Sequence, residues 1–258
     1  ISSDNTNFFI GRFSDTFNQL DTGTPIENIS PGTNFTYRKR ASDIYNIDEF
    51  PIRTSIMLFR LEDGKLKQKC SGSIISSKHV LTAAHCVINS INEELLYDSL
   101  FVCPIFDNGE INSNFECSWI NKIYKFENSL KEDIAILELE KSIGENTGWL
   151  GIGFDNNDQT LLNGLFYKFS YPGKAIQEEE GYHRTYNGDT LYFNYGKISR
   201  LYKNSIAIMR MYDGIPGESG SPLILIENKY KYTIYGVLNY ANNQVHKRID
   251  NQIFYSFR

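Results

Sequence analysis

Three short segments of this 258-residue chain carry side chains that could do chemistry together. In Val80-Leu-Thr-Ala-Ala-His85-Cys86 an apolar run ends in small residues and presents a histidine beside a cysteine. In Lys131-Glu132-Asp133-Ile-Ala-Ile-Leu137 an acidic residue stands at the mouth of an apolar run. In Gly217-Glu218-Ser219-Gly220-Ser-Pro222 a serine sits among glycines in a tight turn that leads into another apolar run. Each segment alone has a bland reading: a structural histidine, an acid ending a strand, a glycine turn. Together they supply a reaction. A serine hydroxyl is a weak nucleophile until an imidazole takes its proton, and the imidazole must be held in the right tautomer by a carboxylate. Glycines beside the serine let the backbone turn so that two N–H groups meet at one point, where they stabilise the negative oxygen of an attacked carbonyl. The roles that follow are Ser219 as nucleophile, His85 as general base then acid, and Asp133 orienting His85. The amides of Gly217 and Ser219 would form the oxyanion hole.

Short strands must place these side chains. From Pro51 onward strand-like runs recur, with Ile52, Thr54, Ile56 and Leu58 alternating against Arg53, Ser55, Met57 and Phe59. Further runs lie at 72–76, 79–82, 119–126, 134–139, 165–170, 191–198, 206–211, 222–226, 230–238 and 253–257. Strands at this density, with 17 Tyr and 17 Phe and no long helical period, predict an all-β barrel or sandwich. The sole helix-length candidate is weak, around Ile91 to Ser99. Residues 1–50 read differently, with polar turns and the basic run Arg38-Lys39-Arg40, and are expected to form an N-terminal extension or pro-like segment.

Composition narrows the class. Lys plus Arg is 26 against 31 for Asp plus Glu, a formal charge of −5, which excludes a nucleic-acid binder resting on a basic surface. No apolar run approaches the roughly 18 residues that cross a bilayer, so no membrane span is expected. With 41% hydrophobic and 22% charged residues and 7 prolines, the chain is neither disordered nor collagen-like. The four cysteines, Cys70, Cys86, Cys103 and Cys117, show no close Cys-x-x-Cys spacing of a zinc or redox site, and disulfides in an oxidising compartment are the favoured reading over buried thiols. The sequons at Asn28 and Asn34 lean the same way. No charged-then-apolar leader is present, so a signal peptide, if there is one, lies outside this numbering.

The three segments resemble the motifs of the chymotrypsin-like, trypsin-type serine peptidases. Thr82-Ala-Ala-His85-Cys86 is similar to the family's histidine motif, Glu132-Asp133-Ile-Ala-Ile-Leu to its aspartate motif and Gly217-Glu-Ser219-Gly-Ser-Pro to its serine motif. The resemblance covers about Pro51 to Phe257. It implies two packed six-stranded antiparallel β-barrels, the first at 51–145 with His85 and Asp133, the second at 146–258 with Ser219, and the active site in the cleft between them. It also implies a disulfide between Cys70 and Cys86; Cys103 and Cys117 are then left over and close in sequence. The function implied is a secreted serine endopeptidase acting on polypeptides through an acyl-enzyme, with no metal or cofactor, because nothing in that chemistry requires one. The alternative is a catalytically silent protease-like binding module.

The same resemblance frames the substrate side. Asp213, six residues before Ser219, falls where the family places the floor of its primary pocket, and a carboxylate there would attract Arg or Lys; without that role the pocket is apolar. Asn239-Tyr240-Ala241 matches the strand that pairs with the substrate backbone. Some segments look like the glutamyl-endopeptidase branch, but that branch's Glu-reading histidine and threonine fall at Leu238 and about Gly214, so acidic specificity is not expected. Glu218 stands where trypsin-type enzymes carry an aspartate paired with a newly cut N-terminus. It should therefore have a cation: an amine made by cutting after Arg40, a side-chain donor, or the Ile1 amine. The family's closing helix is expected to be absent.

Overall fold

The computed structural model describes residues 35–89, 94–96, 99–126, 132–156, 158–179, 182–203, 205–208, 214–228, 231–240 and 245–256, together with the backbone of 6–9. The chain enters through β1 (Thr6–Phe9) and β2 (Lys39–Arg40). A first group follows: β3 (Ser55–Glu62), β4 (Lys65–Ile74), β5 (His79–Thr82), β6 (Leu100–Pro104), β7 (Ser118–Lys125) and β8 (Ala135–Leu139). These six close into a barrel in the order β3-β4-β5-β8-β7-β6. β8 shows the cause in its sequence, because Ala135, Leu137 and Leu139 are buried while Ile136 and Glu138 are only partly so, the period of two that a barrel wall requires.

A short helix α1 (Gly144–Thr147) leads to the second group. It contains β9 (Gly151–Asp155), helix α2 (Gln159–Asn163), β10 (Phe166–Ser170), β11 (Ala175–Glu179), β12 (Tyr182–Tyr186), β13 (Tyr192–Gly196), β14 (Ile198–Leu201), β15 (Ser205–Ile208), β16 (Pro222–Asn228), β17 (Lys231–Tyr240) and β18 (Val245–Arg248). Helix α3 (Asn251–Ser256) closes the described chain. β14-β15-β18-β17-β16-β10-β13-β2 form one curled sheet, to which β9 adds parallel to β17 and β1 adds to β9, ten strands in all. β11 and β12 form a separate hairpin. The protein is thus all-β in two units, and the sheet of the second has eight strands of its own, to which the N-terminal segment adds β1 and β2. A shared apolar core joins the units, with Ile56, Leu81 and Leu137 from the barrel and Phe169, Phe193 and Phe254 from the sheet region.

Several local expectations are corrected. Residues 52–54 form a 3₁₀ turn rather than the start of the strand, closed by the Thr54 hydroxyl donating to the Pro51 carbonyl at 2.6 Å, so the pairing of β3 begins at Ser55. Of the weak helix at 91–99, most residues lie outside the described set. Those that are described are not helical: Leu95 bridges Ile88, and the Leu96 amide donates to the Val87 carbonyl at 3.0 Å. The run 253–257 is helical as far as Ser256, so a closing helix is present after all. Asp250 explains it, since its side chain accepts from the Ile253 amide at 2.9 Å and its carbonyl from the Phe254 amide, an N-cap that outweighs the aromatic strand preference.

Candidate active site

Each of the three segments ends on an element that aims its side chain at one place. β5 carries the chain to a 3₁₀ turn, Ala84–Cys86, which lifts His85 off the sheet while Ala84 and Cys86 stay buried. Asp133 stands two residues before β8, the neighbour of β5, with a positive φ of 27° that an aspartate tolerates better than most side chains. In that conformation its carboxylate meets His85 twice. Oδ1 accepts from the His85 backbone amide at 2.9 Å, and Oδ2 lies 2.9 Å from His85 Nδ1. The acid therefore fixes both the turn and the ring, leaving Nε2 as the proton acceptor. The His85 side chain is 35% exposed and that of Asp133 12%, so the pair is open on the histidine side only.

Ser219 sits in the turn before β16. Gly217 at φ 100° and Gly220 at φ 86° occupy the left-handed region. A Cβ on Gly217 would come within 2.7 Å of the Tyr171 carbonyl, and one on Gly220 would overlap the Ser71 carbonyl and Thr82 Oγ1. Only glycine lets this loop lie against β4 and β5. The carbonyls of the loop are all tied back. Pro216 O accepts from the Gly173 amide at 2.7 Å, Gly217 O from Ser71 Oγ at 2.9 Å, Glu218 O from the Ser221 amide at 3.0 Å and Ser219 O from the Ser71 amide at 2.8 Å. Across a trans peptide the C=O of one residue and the N–H of the next point opposite ways. Fixing Pro216 O and Glu218 O therefore turns the Gly217 and Ser219 amides outward, and among the described residues neither donates to a backbone carbonyl.

Cys86 Sγ lies 4.0 Å from His85 Nε2 and 3.8 Å from the Ser219 carbonyl, so one sulfur borders both the imidazole and the backbone of the serine loop. The Ser219 hydroxyl and His85 Nε2 are not hydrogen-bonded to each other. The cysteines pair as Cys70–Cys86, stapling the histidine turn to β4, and as Cys103–Cys117. Cys70, His85 and Cys86 have ligand atoms within 4.8 Å of one another, but the two sulfurs are joined to each other and offer no thiolate to a metal.

Glu218 is fully buried and its carboxylate is saturated. Arg38 Nε and Nη2 donate to Oε1 and Oε2 at 2.8 and 2.7 Å, Lys168 Nζ to Oε1 at 3.1 Å, Ser170 Oγ to Oε1 at 3.0 Å and the Ile215 amide to Oε2 at 2.8 Å. Burial alone would raise this carboxyl; the charges of Arg38 and Lys168 and the bonds from Arg38 and Ile215 outweigh it and hold it well below the carboxylate range. The same burial pulls Lys168 down to about 8 against the pull of Glu218. Of these partners the sequence marked Arg38 only as part of the basic run Arg38-Lys39-Arg40, and tied neither it nor Lys168 nor Ser170 to Glu218. Lys168 carried a signal, a lysine inside Phe166-Tyr-Lys-Phe-Ser170, because a strand otherwise apolar on both faces buries a charge only opposite a partner.

This carboxylate makes stability depend on acid. The unfolded chain takes up a proton near the ordinary value of 4.5, before the folded chain does, so the stabilisation is complete above about pH 4.5 and is lost progressively below it. Melting temperatures measured from pH 7 to 3 are expected to fall below that point, and to fall less steeply in Glu218→Gln; parallel slopes would remove Glu218 from the acid sensitivity.

On the substrate side, Asp213 and Ala241 lie outside the described residues. Asn239 is half-buried at a break in register of β17 against β18, between Leu238 and Tyr240, and its Oδ1 has no hydrogen-bond partner among the described residues. Tyr240 ends β17, paired with Val245.

A trypsin family model matches residues 46–254. The chain belongs to the trypsin family of serine proteases. Among its relatives, venom serine protease Bi-VSP of Bombus ignitus is 28% identical over 194 residues, 67% of this chain and 52% of that protein. CLIP domain-containing serine protease B9 of Anopheles gambiae is 41% identical over 49 residues, 19% of this chain and 12% of that protein. The chain thus spans about half the length of the first relative and less of the second. A solved glutamyl endopeptidase structure superposes with a TM-score of 0.64 at 18% identity, covering 88% of this chain and 96% of the other, and shows the shared fold.

Proposed function

We propose that this trypsin-family chain is a secreted serine endopeptidase that cuts polypeptides through an acyl-enzyme. Ser219 attacks the scissile carbonyl, His85 Nε2 takes its proton and later gives it to the leaving amine, Asp133 holds the ring, and the Gly217 and Ser219 amides receive the oxyanion. The observation that carries the reading is the pair of hydrogen bonds that the Asp133 carboxylate accepts from the backbone amide and Nδ1 of His85, an arrangement that serves tautomer control and has little use in a silent scaffold. The two disulfides and the word venom in one relative's name favour an oxidising, extracellular setting. The Asp213 carboxylate gives the pocket a preference for Arg or Lys, and Asn239, Tyr240 and Ala241 offer the substrate an edge to pair with.

A fluorophosphonate probe should label the intact chain at Ser219, and a diverse peptide library should be cut mainly after Arg and Lys. Absence of labelling in a folded sample would leave the silent binding module as the reading. Cutting after apolar residues would remove Asp213 from the pocket floor while keeping the protease.

A further inference from the structure

The acid beside the nucleophile requires a cation, and the N-terminal segment brings one. Residues 36–41 run antiparallel to β13: the Thr36 amide donates to the Tyr195 carbonyl at 2.8 Å, Lys39 and Arg40 pair with Phe193 and Tyr192, and the Ala41 amide donates to the Leu191 carbonyl at 2.9 Å. This run points Arg38 inward, where it is 1% exposed. Its guanidinium grips both oxygens of Glu218 and also donates from Nη1 to Gln177 Oε1 at 3.0 Å, with its carbon 5.7 Å from the centre of the Tyr186 ring. Arg184 donates to its carbonyl at 3.3 Å.

We propose that Arg38 is a positioning residue of the catalytic loop: a permanent counter-ion, built into the uncut chain, that holds Glu218 and through it the Gly217 and Ser219 amides in their working arrangement. This rests on the serine-endopeptidase reading above. Glu218 links the two oxyanion donors in sequence, so the plane of its carboxylate and the path of the loop are set together. Two parallel bonds from a fork-shaped guanidinium fix that plane, whereas the single bond from Lys168 fixes only a point. The Arg40–Ala41 peptide is also a poor place for an activating cut. Ala41 is fully buried and its amide is committed to Leu191, so a protease would first have to strip the segment from β13, taking Arg38 away from Glu218. The N-terminal segment is on this account part of the mature enzyme.

The charged groups around the pair give the inference a pH signature. Glu218 faces Arg38, Lys168 and the Ser170 hydroxyl; Arg38 faces Glu218, Gln177, Tyr186 and Arg184. Lys168 gives up its proton at about 8, whereas a guanidinium stays charged throughout the working range. On the alkaline side Arg38 is then the cation that holds Glu218, beside the neutral donors Ser170 and Ile215.

The test uses the full chain. Arg38→Ala is expected to lower kcat about a hundredfold or more with little change in KM, as for loss of an oxyanion donor. Arg38 also lines a cavity of about 360 Å³ bordered by Lys39, Arg184, Tyr186 and Tyr192, so ethylguanidinium can reach the vacated position and should restore part of the rate. Arg38→Lys, which keeps the variant foldable should the alanine unfold it, is expected to work near neutrality and to lose kcat/KM as the pH rises towards 10, while the wild type does not. An alanine variant within threefold of wild type, a loss that ethylguanidinium leaves unchanged, an Arg38→Lys profile parallel to wild type, or Ser219 labelling that begins only after a cut beyond Arg40 would each overturn the inference. If wild type itself fails to label, the endopeptidase reading falls and this inference with it; if wild type and the Arg38 variants label equally fast, only the inference falls.

Discussion

Ser219→Ala is expected to lower kcat on a peptide substrate by a factor on the order of 10⁶ while leaving the fold and the melting temperature nearly unchanged. The two halves of that expectation have separate causes. The Ser219 hydroxyl makes no hydrogen bond to the His85 ring, so its removal breaks no such bond and leaves no new cavity of consequence. The loop is held by its carbonyls and by Glu218, none of which the substitution touches. Catalysis loses the atom that forms the acyl-enzyme, and no neighbour can replace it. Ser221, two residues on, is fully buried, its hydroxyl shielded from solvent and from substrate. What remains is the amide pair and substrate binding, which still stabilise attack by water and leave a rate about 10³- to 10⁴-fold above the uncatalysed reaction. Comparable turnover in the alanine variant would end the serine-protease mechanism for this chain; a large fall accompanied by a lower melting temperature would point instead to a structural serine.

How far the sequence reaches depends on the range of the interactions. His85, Asp133 and Ser219 could be proposed from sequence because each lies in a short segment whose small residues, glycines and apolar run are local requirements of turning a strand end outward. The Cys70–Cys86 pair came with the resemblance to the family and is present, at a sequence separation of 16. The cation for Glu218 was legible as a need but not as a residue. Arg38 lies 180 positions from Glu218, inside a tribasic run that also fits a solvated cluster or a cleavage site, and only the pairing of the N-terminal segment with β13 turns one of its three cations inward. The hairpin of β11 and β12 was missed because its inner face, with Gln177 and Tyr186 against Arg38, is mostly polar, while its apolar Ile176 points to solvent, so no hydrophobic alternation marks it. Helix α3 was missed because Ile253 and Phe254, adjacent and both buried, mimic a strand, and the Asp250 cap that decides the matter is a single side chain.

Asp133→Asn is expected to lower kcat by about 10⁴ at neutral pH with the structure intact, as for the Ser-His-Asp triad in general. Asparagine occupies almost the same volume and tolerates the positive φ of 27° at this position, so the turn before β8 survives. Its carbonyl oxygen can still accept from the His85 backbone amide, now 2.9 Å from Oδ1. The atom left facing Nδ1 is then an amide nitrogen, which donates. Nδ1 must accept, the ring proton moves to Nε2, and the imidazole can no longer take the proton of Ser219. The neighbouring acid supplies the control. Glu132 pairs with Lys247 at 2.6 Å, so Glu132→Gln removes a charge next to the site without touching the histidine, and should change kcat by less than about tenfold. If the loss at Asp133 came from general electrostatics, the two substitutions would cost similar amounts. If it comes from the tautomer, only Asp133→Asn should be severe, and fluorophosphonate labelling of Ser219 should slow in parallel with peptide cleavage, because both begin with the same proton transfer to His85.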